Sequence, residues 1–88
     1  MKLILDGCSV KDREDLHRQM ESVLNFPEWY GGNLDALHDC LTELMEEVDI
    51  RIIHTEELKS VLGDYADTLL RVLRDAEQVN LNIQIVTD

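Results

Sequence analysis

Four carboxylates recur at helical spacing within one short stretch of this 88-residue sequence: Asp35, Asp39, Glu43 and Glu46. Residues three or four apart share a face of a helix, so a helix over 34–46 would carry them in a line. Like charges at that spacing repel, weakening a helix by roughly a few tenths of a kcal/mol per pair. No lysine or arginine lies between residues 28 and 50 to relieve them. Just upstream stand two aromatics and two glycines, Trp29-Tyr30-Gly31-Gly32. The chemistry open to such a set is recognition. A carboxylate accepts paired hydrogen bonds from arginine, as a phosphate does. Negative charge gathered beside aromatics therefore predicts a positively charged partner.

Catalysis and metal binding are poorly served by the same residues. His38-Asp39-Cys40 could be pictured with Asp35 as a zinc or magnesium site. Residues two apart on a helix do not share a face, however, so His38 and Cys40 point to different sides. Cys40 falls instead beside Leu34, Leu37, Leu41 and Leu44, a stripe at helical spacing that faces a core. The sequence contains no Cys-x-x-Cys, no His-x-x-x-His and no phosphate-cradling glycine loop. His17 and His54 are isolated in the sequence, and structural or surface roles suit them better than catalysis. The expectation is a protein that is not an enzyme and needs neither cofactor nor metal.

Composition narrows the partner. Nineteen acidic against 8 basic residues give a net charge of −11. That charge disfavours nucleic acid and anionic membranes, both polyanionic, and favours fast, salt-sensitive association with a cationic protein. The bland counterpart is an acidic surface that serves solubility alone. A chain of this length forms one domain, residues 1–88, and buries a little over ~60% of its unfolded surface. With 44% apolar residues it should fold. Met1-Lys2-Leu3-Ile4-Leu5-Asp6 lacks the apolar core of a signal peptide, and no apolar run approaches the ~18 residues of a membrane span. Cys8 and Cys40 then read as reduced thiols of a cytoplasmic protein.

The elements that must position the acidic stretch follow from local signals. Residues 2–6 predict a strand ended by Gly7. Asp12 caps a helix over about 13–25, with Leu16, Met20, Val23 and Leu24 inward. Asn25-Phe26-Pro27 breaks it, residues 28–32 form a loop, and Asn33 caps the helix 34–46. Ile50, Ile52 and Ile53 mark a second strand. Thr55 caps a short helix that stops at Gly63. A longer helix from Asp64 to about Gln78 turns Leu69, Val72, Leu73 and Ala76 inward. Leu81 to Val86 alternates as a third strand. Strands separated by helices imply an α/β fold with a parallel sheet and right-handed crossovers, covered on one face or on both.

Each candidate site residue has an ordinary structural reading beside the functional one. Asp35 lies in the first turn, where the helix dipole stabilises a carboxylate. Asp39 is mid-helix and has no such reason, although a solvated acidic face would accommodate it. Trp29 and Tyr30 could anchor the loop to a core. Gly31 and Gly32 allow close backbone approach or satisfy a turn.

The run Pro27-Glu28-Trp29-Tyr30-Gly31-Gly32-Asn33-Leu34-Asp35-Ala36-Leu37-His38-Asp39-Cys40-Leu41 resembles the signature of the barstar family. The strand ending in Gly7, Asp15-Leu16-His17 in the first helix and the closing Leu81-Asn82-Ile83 resemble it too, so the likeness covers nearly the whole chain. The resemblance implies a three-stranded parallel sheet with the first strand central, packed by about four helices. It also implies an intracellular inhibitor that occupies a ribonuclease active site. Asp39 would be the principal mimic of an RNA phosphate and Asp35 the second, set against arginines and a catalytic histidine. Trp29 would lie against that histidine, with Tyr30 packed inward. Asn33 and Thr42 match contact positions, Asp75 matches a contact glutamate on the last helix, and Gly31, His38 and Glu43 complete the candidate ribonuclease-binding set. His38 and Leu44 stand where the prototype pattern has tryptophan, and Val79 where it has an acid; these departures touch the choice of target. The implied partner is a basic ribonuclease, either barnase-like and secreted or a competitor's toxin. The complex would be one-to-one, with immunity as its purpose and a monomer as the free form. The alternative is an acidic interaction module, or nucleic-acid mimic, for a basic protein that is not a nuclease.

Overall fold

A computed structural model describes residues 1–88 and contains seven elements in an α/β order. They are β1 (Lys2–Asp6), α1 (Arg13–Leu24), α2 (Leu34–Thr42), β2 (Val48–Ile53), α3 (Thr55–Leu62), α4 (Asp64–Val79) and β3 (Ile83–Thr87). The strands form one parallel sheet in the order β1-β2-β3.

The expectation that the first strand is central is therefore corrected: β2 is central and β1 is an edge. The reason lies in which side chains are apolar. Each strand alternates, and the inward residues line up across the sheet. Leu3, Ile50 and Ile85 are register neighbours, as are Val48 and Ile83, and all are buried. The opposite face carries Lys2, Arg51 and Gln84 to solvent. A sheet with one covered face needs its helices on one side. Right-handed crossovers achieve that only when successive connections step across the sheet in the same direction, which gives the order 1-2-3. A central first strand would send the two connections to opposite faces and ask for apolar residues on both.

Three element ends also differ from expectation. α2 stops at Thr42 instead of continuing to residue 46, because the chain must turn to enter β2 at Val48. Carbonyls at and just past that end take further donors from Asn80, a buried residue just beyond α4. Its Nδ2 donates to the Leu41 and Leu44 carbonyls, each at 2.9 Å. Thr55 does not cap α3 but is its first residue. His54 occupies the cap position, and the Asp88 carboxylate accepts from the His54 N–H at 2.8 Å and from the Thr55 hydroxyl. β3 begins at Ile83, and Leu81 is left exposed in the preceding turn. Two signals read from the sequence act as expected. Asp12 caps α1 by accepting the Asp15 N–H at 2.8 Å, and Gly63, at φ 62°, separates α3 from α4.

His17 holds the loop before α2 to the rest of the molecule. It is buried on α1, with Nδ1 bonded to the Tyr30 hydroxyl and Nε2 at 2.6 Å from the Tyr65 hydroxyl on α4. The Tyr30 ring also packs against Phe26 at 4.8 Å between centroids, and the Arg13 guanidinium covers Tyr65 at 4.2 Å. A neutral imidazole has one donor and one acceptor nitrogen, so one tyrosine donates to it and the other accepts from it. Burial holds the His17 pKa below its ordinary 6.5, because the charged ring is poorly solvated there.

Two outcomes are expected. Asn80→Ala removes two buried hydrogen bonds at the end of α2, to carbonyls that keep other donors, and should lower unfolding stability by about 1 kcal/mol; no measurable change in urea denaturation would contradict the capping role. With its folded pKa depressed, His17 contributes stability that is present above the unfolded value near 6.5 and is lost as pH falls through the folded value. An NMR titration should accordingly find the His17 ring still mostly neutral at pH 6.5, and a half-protonated ring there would contradict the buried two-tyrosine arrangement.

Candidate functional site

α2 is a nine-residue helix divided between core and solvent. Leu37, Cys40 and Leu41 are buried beneath it, and α2 lies against α4. Asn33 starts it, its Oδ1 accepting the Ala36 N–H at 2.8 Å. With the inward positions fixed, Asp35 and Asp39 are forced outward, and both are exposed. Neither carboxylate takes part in any ion pair or side-chain hydrogen bond of the molecule. Glu43 is the C-cap residue, exposed one position past the helix. Glu46 lies beyond it, so the expected line of four carboxylates becomes two on the helix, one at its end and one in the following turn. Burial raises the Cys40 thiol pKa, and the nearby Glu43 and Asp39 charges raise it further. That thiol is inert packing under an anionic surface.

The loop before α2 separates the two aromatics. Trp29 is 60% exposed, whereas Tyr30 is buried with its hydroxyl on His17. Burial is the main cause that pushes the Tyr30 pKa far above its ordinary value. Gly32 has φ +68°, a left-handed conformation that favours glycine. Gly31 is exposed beside it, and a Cβ there would come within 3.1 Å of Asn33 Nδ2. The loop thus turns tightly into the Asn33 cap and presents Trp29 and the Gly31 backbone next to the start of the acidic helix.

The remaining candidates divide in the same way. His38 is half-buried on α2. The half-buried Thr42 bonds back to the Asp39 carbonyl at 3.1 Å, as a last-turn hydroxyl commonly does. Asp75 is exposed and unpaired on α4, the helix that packs against α2. Next to this surface are apolar groups on two segments joined by Asn80 and Asn82, whose side chains donate to the Leu41 and Leu44 carbonyls. Met45, Val79 and Leu81 on those segments are 91%, 67% and 94% exposed.

Sequence reasoning missed the supports, while the outward placement of Asp35 and Asp39 agrees with it. Asn80 and the His17–Tyr30–Tyr65 network rest on pairs far apart in the chain, for which no local signal exists. Only the placement of His17 directly after the core residue Leu16 hinted at burial. His54, read as isolated, has Nδ1 2.7 Å from Asp6 Oδ1. No helix is long and apolar enough to cross a membrane.

Comparison with known proteins accounts for this geometry. The family model described as "Barstar (barnase inhibitor)" matches residues 1–86. A protein of Bacillus subtilis (strain 168), named "Putative ribonuclease inhibitor YrdF", is 38% identical over 78 residues, spanning 88% of this chain and 86% of the relative. The family is one of inhibitors, so the chain is not an enzyme. A one-sided parallel sheet that backs a short acidic helix, matched by that family along almost its whole length, leaves one conclusion: this chain belongs to the barstar family.

Proposed function

We propose that the chain inhibits a basic ribonuclease inside the cell that carries it, one-to-one, by laying α2 and the loop before it into the enzyme's active site. Asp39 and Asp35 take the places of RNA phosphates there. The observation that carries this reading is the pair of exposed carboxylates with no partner in the chain, on a helix whose core face is sealed. Such carboxylates keep their full capacity to bind a cation fork, because no internal ion pair has to be broken first. Trp29 supplies an exposed aromatic at the edge of the same surface, and the Gly31 backbone leaves room for a close approach. Asn33, Thr42, Glu43 and Asp75 surround the pair. The purpose is immunity, protecting the cytoplasm from a secreted barnase-like enzyme or a delivered toxin ribonuclease. His38, Leu44 and Val79, with Met45 and Leu81 beside them, give the rim an apolar character suited to its own target.

The direct test is capture from native lysate on immobilised chain, followed by ribonuclease assay of the eluted protein before and after the chain is added back. Ribonuclease activity that the chain suppresses is expected. Captured protein without such activity, or RNA cleavage by the purified chain itself, would overturn the reading.

Asp39→Ala should weaken the complex more than any other single change, by on the order of 2 kcal/mol or more, as at charged hot spots, of which this family's prototype is a standard example. Unfolding stability should hold or rise slightly, since the change removes a like-charge neighbour of Asp35. An affinity within twofold of wild type would reject the phosphate role. Association should also slow steeply with salt, because at a net charge of −11 the unpaired carboxylates steer a cationic partner and screening cuts their reach to about 8 Å at physiological ionic strength. Stopped-flow association rates that stay flat between low and high salt would leave the acidic face as a solubility feature.

A further inference from the structure

At the carboxyl ends of the strands, away from every residue assigned above, three side chains of metal-ligating type converge. Asp6 ends β1, Cys8 follows it in the turn, and His54 comes directly after β2. One oxygen of Asp6, the Cys8 sulfur and a ring nitrogen of His54 all lie within 4.8 Å of one another. Asp6 and His54 are 48 residues apart in sequence and meet only through the fold.

The backbone around the cluster is built to hold it. Gly7 sits between Asp6 and Cys8, and its N–H bonds to the Ile53 carbonyl at 2.9 Å. A Cβ on Gly7 would fall 2.1 Å from the His54 carbonyl and 2.6 Å from the Leu58 nitrogen, so only glycine lets β1 run this close to the start of α3. His54 itself has φ 53° and ψ 51°, an uncommon conformation for a residue with a side chain. It is kept there by the Asp88 carboxylate on its N–H. Asp6 Oδ1 is held from two sides, by the Cys8 N–H at 2.9 Å and by His54 Nδ1 at 2.7 Å, while the sulfur lies within 4.8 Å of both ligand atoms.

We propose that Asp6, Cys8 and His54 form a binding site for a zinc-type divalent cation, with water completing its shell. One oxygen, one nitrogen and one sulfur suit a borderline-soft ion better than calcium or magnesium, which prefer all-oxygen shells. In a tetrahedral zinc site neighbouring nitrogen and oxygen ligands stand ~3.3 Å apart, and sulfur and nitrogen ~3.5 Å. The present 2.7 Å between His54 Nδ1 and Asp6 Oδ1 has to open by ~0.6 Å to reach that spacing, the cation replacing the shared proton. A turn of the exposed Cys8 side chain brings its sulfur in. The surrounding charge is also right, since Glu57 and Asp88 add negative potential at His54, and Glu57 does so at Cys8. Local desolvation is the main cause that pushes the Cys8 thiol pKa up, with the Asp6 and then the Glu57 charge adding to it, so Cys8 as it stands is a poor nucleophile, whereas a bound cation favours the thiolate.

The test is titration of the intact, reduced chain with Co(II), with Zn(II) in competition. Expected are one ion per chain and a thiolate-to-cobalt charge-transfer band that Zn(II) removes. Cys8→Ser should abolish the band and weaken Zn(II) binding by on the order of tenfold or more, while Cys40→Ala leaves both unchanged. His54→Asn, which suits the left-handed backbone, should weaken binding without unfolding the chain. Binding that lacks the charge-transfer band, or that survives both Cys8→Ser and His54→Asn, would reduce the site to nonspecific attraction by surface carboxylates and overturn the proposal. So would an absence of saturable binding.

Discussion

A helix of nine residues is too short to form alone in water, and one that carries unpaired like charges is worse off still. α2 exists because Leu37, Cys40 and Leu41 are sealed beneath it and because Asn33 and Asn80 close its two ends. Much of the fold can be read as the means of holding that one unfavourable element in place. α4 supplies the wall it packs against and then Asn80. α1 supplies His17, which ties down Tyr30 and with it the loop that aims Trp29 outward. The carboxylates can stay unpaired because their helix is stabilised mainly by its buried face and its two capped ends, with Asp35 adding only its interaction with the helix dipole. Free carboxylates and core packing are thereby separated on opposite faces of two and a half turns.

The same division shapes the sheet. Its inner face is continuous aliphatic packing, and its outer face is left to Lys2, Arg51, Gln84 and a few exposed apolar side chains. With the helices packed on the apolar face, α2 and α4 become neighbours. The strand ends, by contrast, are tied by polar side chains: Asp88 to the start of α3, and His54 to Asp6. The acidic surface around α2 and the mixed-ligand cluster of Asp6, Cys8 and His54 share no residue.

Much of this was legible in the sequence. Residues 2–6, the isoleucines Ile50, Ile52 and Ile53, and the alternation from Leu81 to Val86 marked three strands, and the Asp12, Asn33 and Gly63 signals set helix ends through local backbone chemistry that needs no tertiary knowledge. The sheet order was misread because strand adjacency is a long-range property. The clue was present nonetheless, since polar residues at Lys2, Arg51 and Gln84 point to one covered face and hence to a central second strand. The end of α2 was misread because leucine spacing continues to Leu44, while the helix is stopped by the turn into β2 and by an asparagine 36 residues further on. Thr55 looked like a cap by residue type, but the cap is supplied by Asp88 from the far end of the chain. The outward placement of Asp35 and Asp39 was legible, because helical periodicity alone fixes it once the leucines are inward. The His17 and His54 partnerships were not, because each joins residues that only the folded chain brings together.

The central claim is that two carboxylates stand in for RNA phosphates, and the most direct measurement is exclusion. With the ribonuclease that the chain captures, the dissociation constant of the complex should be measured as a phosphate-bearing mononucleotide that fills the enzyme's active site is raised at constant ionic strength. Phosphate mimicry predicts a competitive loss of affinity, in proportion to occupancy by the nucleotide and with no ternary complex. An affinity that stays unchanged when the nucleotide saturates the active site would show that α2 binds elsewhere and would contradict the account.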